Sequence, residues 1–154
     1  MISNAELADL LNANKQIYKT LVVDGFIVND SNDAILLQKR SPDRRLFPNF
    51  WDALGGHLEE GETLQEALQR EVLEESQMEL TEIIQLVHQF EWPEDPSAMN
   101  FQFLCRAKVQ FVPEAGKITE ARWIRQSDLA SIQAALSPSM LAGVSRAFHA
   151  LKSL

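Results

Sequence analysis

A chain of 154 residues is long enough for one domain with a sizeable core. Apolar residues make up 45% of it and charged residues 23%, a globular balance that excludes general disorder. The formal net charge of −8 excludes a broad basic face for nucleic-acid polymers, although a small phosphate compound can bind where metal supplies positive charge.

In chain order, Ser3 to Glu6 has the form of a capping box, and Leu7, Leu10 and Leu11 follow at helical spacing. The polar, acidic start does not read as a signal peptide, and no run approaches the ~18 apolar residues of a membrane span. Cytoplasm is the default expectation. Tyr18 to Val28 reads as a strand, Asn29 to Asp33 as a turn and Ala34 to Gln38 as the hairpin partner. A loop, Ser41 to Phe50, leads to Trp51–Leu58, which carries Gly55-Gly56. Thr63 to Glu66 is a second capping-box pattern, and a helix runs from it to about Gln77 with Leu64, Leu68 and Val72 on one face. Ile83–Trp92 and Phe101–Phe111 read as strands joined by a loop, Pro93 to Asn100. Cys105, the single cysteine, excludes an intrachain disulfide and reads as a small core residue within the apolar run Phe101–Val109. Ala121–Ile124 is a short strand, Ser127–Leu136 a helix, and Ser137-Pro138 opens a last helix to Leu151. The sum is one α/β (α+β) domain over residues 1–154, a mixed β-sheet sandwiched between α-helices.

The chemistry is concentrated in Gly55 to Met78. Glu71, Glu74 and Glu75 stand at i, i+3 and i+4, so their carboxylates project from one side of the helix. Like charges at that spacing cost ~0.2–0.5 kcal/mol per pair in an isolated helix. Mg²⁺ or Mn²⁺, which prefer hard oxygen ligands, would compensate. The bland alternative is a solvated face with Glu66–Arg70 and Arg70–Glu74 pairs. Gly55-Gly56 likewise serves either a tight turn or the close approach of backbone to a ligand.

Gly56, Glu62, Arg70-Glu71, Val72, Glu74-Glu75 and the apolar Met78 resemble the Nudix box. Six fixed identities at 5–7% usage coincide about once per ten million windows, so chance does not explain them. One position departs: Gln77 replaces the second glycine, where a left-handed backbone is common, at about 1 kcal/mol. Upstream Leu36–Arg40 and downstream Ala121–Ile124 also look like family features.

The resemblance implies a Nudix fold and metal-dependent hydrolysis of a pyrophosphate bond. By position, Glu71, Glu74 and Glu75 with the Gly56 carbonyl are the implied metal ligands for Mg²⁺ or Mn²⁺. Arg70 and Glu62 are implied to orient them. Glu71 is the first choice of general base; Glu120 and Glu114 are the choices from a distant loop, where Lys117 takes the place some relatives give an acidic residue. Arg40, His57 and Trp51 are candidate substrate contacts, with Arg44 and Arg45 as further phosphate candidates and Phe47, Phe50 and Trp92 as further base platforms. His88 and His149 read as structural.

The subfamily markers conflict. Leu36-Leu37, Arg40-Ser41 and Arg45 are similar to half of a coenzyme A pyrophosphatase motif, but Asn49, Ala53 and Leu54 break its later part. Pro93 and Pro96 lie near the proline of ADP-ribose hydrolases, whose longer N-terminal extension is not matched. The only tyrosine, Tyr18, does not match that of dinucleoside polyphosphate hydrolases. Length is closest to MutT-like nucleoside triphosphate pyrophosphohydrolases. The expected partner is a small nucleotide, with neither nucleic-acid polymer nor membrane, and the expected state is monomer or homodimer. An isopentenyl diphosphate isomerase reading of the glycine loop needs a nearby cysteine, and Cys105 is far from it. A non-catalytic nucleotide-binding module would be expected to lose box carboxylates, and all are kept.

Overall fold

The computed structural model describes residues 1–108 and 110–154. Helix α1 (Asn4–Asn14) starts at Ser3, whose hydroxyl accepts from Glu6 N while the Glu6 carboxylate accepts from Ser3 N, the full reciprocal cap. Then follow β1 (Thr20–Val28), β2 (Ala34–Arg40), β3 (Trp51–Asp52), β4 (Leu54–His57) and α2 (Leu64–Ser76). The chain continues through β5 (Glu79–Trp92), β6 (Asp95–Lys108), β7 (Ile118–Arg125), α3 (Leu129–Ile132) and α4 (Pro138–Leu151).

All seven strands belong to one mixed sheet, with a main order β3-β2-β1-β6-β5. One edge of β1 is filled by β6, parallel, over Thr20 to Ile27. The other edge is divided. Strand β4 takes Val22 to Gly25, and β2 touches β1 only at Ile27 and Val28. Beyond Leu36 that edge of β2 pairs with β3 instead, at Gln38 and Lys39, while β7 runs along the other edge of β2 from Ala34 to Arg40. The sheet therefore splits beside the middle of β1, and the gap between β4 and β2 is where the site lies.

Two cores follow from the alternation of side chains along the strands. Val23, Ile27, Leu36, Phe101, Phe103 and Cys105 pack under α2 with Leu64, Leu68 and Val72. Phe26, Val28, Ile35, Leu37, Leu104 and Ile124 pack under α4 with Val144, Ala147 and Phe148. The sheet is thus buried on both faces between helices, as the pattern predicts.

Four local expectations are corrected. The loop over Pro93 to Asn100 is a tight hairpin with Asp95 already paired to Trp92, because the long β5–β6 ribbon continues through these polar residues at its exposed end. Strand β5 starts at Glu79, directly after the helix. The helix over Ser127–Leu136 breaks into a 3-10 turn (Gln126–Asp128), the single turn of α3 and a second 3-10 turn (Gln133–Ala135). The strand expected through Phe111 ends at Lys108; Val109 lies outside the described residues, and Gln110 and Phe111 are not strand. Helix α4 matches its expectation: the Ser137 hydroxyl accepts from Met140 N, and Pro138 fills the first turn, where no N–H bond is forfeited.

Candidate active site

Strand β4, the loop after it and α2 form one unit, and Arg70 ties it together. Its guanidinium donates twice to Glu62, from Nε at 2.8 Å and Nη2 at 2.8 Å. It also donates to Glu71 Oε1 at 2.8 Å, to Glu74 Oε2 at 3.4 Å and to the His57 carbonyl at 2.9 Å. The bonds from Glu62, and then those with Glu71, hold the guanidinium's pKa above its usual value, while Arg70 holds the Glu62 carboxyl below its own. Glu62 Oε1 further accepts from Glu59 N at 2.7 Å, which closes the loop on the helix. Of the second capping-box pattern, the forward half is made: Thr63 Oγ1 accepts from Glu66 N at 3.1 Å.

The two glycines have steric reasons. A Cβ on Gly55 would run into the Val23 carbonyl and stand 2.5 Å from Asp24 Oδ1. On Gly56 it would stand 2.5 Å from the Glu71 carboxyl. Backbone and Glu71 are in contact here because no side chain intervenes.

Glu75 points from α2 into the split of the sheet. Its Oε2 accepts from Gln38 Nε2 at 2.7 Å and its Oε1 from Gly55 N at 3.2 Å. Burial, with the charges of Asp52 and Glu71, pushes its carboxyl up to about 9 against those two bonds. Asp52 lies beside it on β3. Burial raises its pKa too, and Arg40 opposes the rise with an ion pair at 3.2 Å. Asp24, a carboxylate in the middle of β1, accepts from Asn100 Nδ2 at 2.9 Å and Gln102 Nε2 at 3.0 Å. Burial, then Asp52, pushes it up to about 7.

These groups open on a cleft of ≈ 210 Å³ lined by Gly55, Glu71, Glu74 and Glu75 on one side. Gln38, Arg40, Asp52, Arg44, Glu114, Lys117 and Ile118 line the rest. The expected glutamates and Arg40 are therefore brought together, and Gly56 lies against Glu71. Three expected residues are not brought there. Glu120 pairs with Lys39 across β7 and β2, so it takes the face opposite Gln38 and Arg40 and reaches Lys39 and Arg122. Trp51 is only 5% exposed, in the α4-side core, with Arg122 5.1 Å and Lys39 5.9 Å from its ring centre, which leaves no face for a base. His57 serves through its carbonyl; its exposed ring stands edge-on to Trp92 at 5.8 Å. Gln38, Asp52 and Asp24 were missed. For Asp24 the available signal was a single charged residue within TLVVDGFIV; Gln38 begins the polar end of AILLQKR, and Asp52 in the two-residue β3 carried no such signal.

A split mixed sheet between helices, with an arginine-tied glycine loop and a three-glutamate helix at its gap, defines the class of this α/β domain. The NUDIX domain model matches residues 19–142, and the chain belongs to the Nudix family, of the MutT-like kind. It is 35% identical over 92 residues to Nudix hydrolase 19, chloroplastic, of Arabidopsis thaliana, covering 58% of this chain and 20% of that protein. It is 47% identical over 64 residues to the nucleoside triphosphatase NudI of Escherichia coli O139:H28, covering 40% of this chain and 44% of that one. Among solved structures it is similar to MutT, studied from Aliivibrio salmonicida and Vibrio cholerae, at 27% identity and a TM-score of 0.62 over 73% of this chain and 84% of that one. The chain spans less than half the length of these two curated relatives. No helix among the described residues is long and apolar enough to cross a membrane.

Proposed function

We propose that this chain hydrolyses a pyrophosphate bond in a small nucleotide, with nucleoside triphosphates as the favoured substrates. The carrying observation is that Glu71, Glu74 and Glu75 share one cleft with Arg40, Arg44 and Lys117. The similarity to MutT and to NudI supports the triphosphate choice.

Glu71, Glu74, Glu75 and the Gly56 carbonyl would hold Mg²⁺ or Mn²⁺. The donor set fits, being all hard oxygen. Burial, and then the nearby charges of Asp52 and Glu71, push Glu75 up to about 9, and a divalent cation would relieve that crowding. Among the described residues no three acidic side chains already converge as ligands do, since Arg70 holds Glu71 and Gln38 holds Glu75. When bound, the metal supplies positive charge to the phosphate oxygens and lowers the pKa of water.

The chain's own residues do the rest. Arg40, Arg44 and Lys117 supply positive charge to the cleft. Arg70 fixes Glu71 against Gly56, and Glu71 takes a proton from the attacking water. The water oxygen bonds to phosphorus, the bridging oxygen leaves on the other phosphate, and two phosphorylated fragments result. Glu114, which lines the cleft, is the alternative base from the distant loop. The test is a substrate panel with Mg²⁺ or Mn²⁺: triphosphates, ADP-ribose, sugar nucleotides, dinucleoside polyphosphates and coenzyme A. We expect metal-dependent cleavage of triphosphates that falls more than ~100-fold in Glu74→Gln. Nucleotide binding with no turnover on any compound would instead indicate a binding module.

A further inference from the structure

Three cationic side chains line the cleft, and they are not equivalent. Arg40 is committed: Nη1 pairs with Asp52 at 3.2 Å and Nε donates to the Leu46 carbonyl at 2.9 Å. Arg44 has no ion-pair partner within 4.0 Å among the described residues. Lys117 is held by Glu114 at 3.0 Å, with 56% of its side chain exposed. An exposed pair of that kind is worth little, so an arriving anion displaces Glu114 at small cost.

Arg44 and Lys117 come from loops more than seventy residues apart, yet one buried residue joins them. Ser41 N donates to the Lys117 carbonyl at 2.9 Å, and Arg44 N donates to the Ser41 carbonyl at 3.2 Å. The Ser41 hydroxyl adds a bond to the Gly116 carbonyl at 3.3 Å. The two loops are therefore stitched together beside the cleft, and Arg44 and Lys117 line it together with the glutamates. Apart from Ile118 and Gly55, every residue lining that cleft is polar or charged, so with a cation on its glutamates it suits phosphates and not a base.

We propose that Arg44 and Lys117 form a two-point anchor for the terminal phosphate of the substrate. This rests on the hydrolase reading and goes further, because it assigns specificity by charge. A terminal phosphate carries up to two negative charges near neutral pH, and its three free oxygens accept from both cations. Each phosphate of a diphosphate capped by organic groups at both ends carries one charge. The anchor thus favours nucleoside triphosphates over doubly capped diphosphates such as sugar nucleotides.

The experiment uses Arg44→Ala, Lys117→Ala and the double variant, with Arg44→Lys as the conservative control. KM and kcat are measured for a nucleoside triphosphate and for a sugar nucleotide, and binding of inorganic triphosphate with Mg²⁺ is measured by calorimetry. Each alanine variant is expected to raise the KM for triphosphate about tenfold with kcat within about twofold, while KM for the sugar nucleotide stays put. Arg44→Lys should recover part of the loss. The double variant should bind inorganic triphosphate about a hundredfold more weakly. Unchanged KM and unchanged triphosphate binding would overturn the anchor even if hydrolysis is confirmed. So would equal losses on both substrate types. If no substrate is turned over, the hydrolase reading fails separately, and calorimetry still decides whether the anchor exists.

Discussion

At the scale of single residues, the site depends on close approaches that only certain side chains permit. Gly56 is the clearest case. A methyl group there would stand 2.5 Å from the Glu71 carboxyl, closer than nonbonded atoms sit. Gly56→Ala must therefore displace Glu71 from its bond to Arg70. We expect kcat/KM to fall by about 100-fold, the cost of a misplacement near 1 Å, with the far-ultraviolet circular dichroism unchanged. Activity within twofold of the parent would show that Glu71 need not sit against this backbone. The sequence displayed Glu62, Arg70 and the three box glutamates at fixed spacing, because they belong to one local segment. It did not display Gln38 or Asp52 as their neighbours, because that contact forms between α2 and strands about twenty to forty residues upstream.

At the scale of elements, α2 carries a cost at its end. Gln77 closes the helix at φ 60°, in the left-handed region that disfavours any residue with a Cβ. Its side chain is exposed, and its N–H bond to the Leu73 carbonyl at 2.9 Å is a backbone bond that any residue keeps. Gln77→Gly should then stabilise the protein by about 0.5–1 kcal/mol, read as a higher urea midpoint at constant slope, with activity unchanged. A midpoint that stays or falls would mean that the strain is absorbed elsewhere. Helix α2 was legible in advance because its apolar stripe and its Thr63 cap are local signals, while its left-handed exit at Gln77 was implied only by the resemblance. The hairpin at Pro93-Glu94 was not. Two prolines and several polar residues there read as a loop, and only the pairing of β5 with β6 across their whole length makes Asp95 to Asn100 a strand.

At the scale of the whole molecule, the fold gathers carboxyls that resist ionisation. Asp24 is held at about 7 and Glu75 at about 9, both first by burial. Unfolded, such groups lose their protons near pH 4, so between that pH and their folded values the folded chain binds more protons. Stability therefore falls as pH rises through this window. Between pH 7 and pH 9 the lowered Glu62 is ionised in both states, while Glu75, Asp24 at the lower end and the buried Cys105 thiol, which burial also holds up, all pull stability down as pH rises. The chelator-treated protein should melt at a lower temperature at pH 9 than at pH 7. Mg²⁺ should raise the melting temperature more at pH 9, where Glu75 has lost its proton to solvent and its carboxylate can bind the cation. A melting temperature that climbs with pH in the absence of metal would contradict this account.

The amino-acid sequence by itself determined the layered α/β class, the helix that bears Glu71, Glu74 and Glu75, and the family to which the box belongs. Those depend on periodicity and spacing within short segments, which no distant contact can rewrite. Only the tertiary structure decided which residues share the cleft. Because β1 divides one edge between β4 and β2, the sheet opens at Gln38 and Asp52, and the Ser41 bonds bring the Arg44 and Lys117 loops together at that cleft. The same pairing turned Glu120 to the far face and sank Trp51 into the core. A strand's alternation says that successive side chains part company, but which face meets the site is settled by what each strand pairs with.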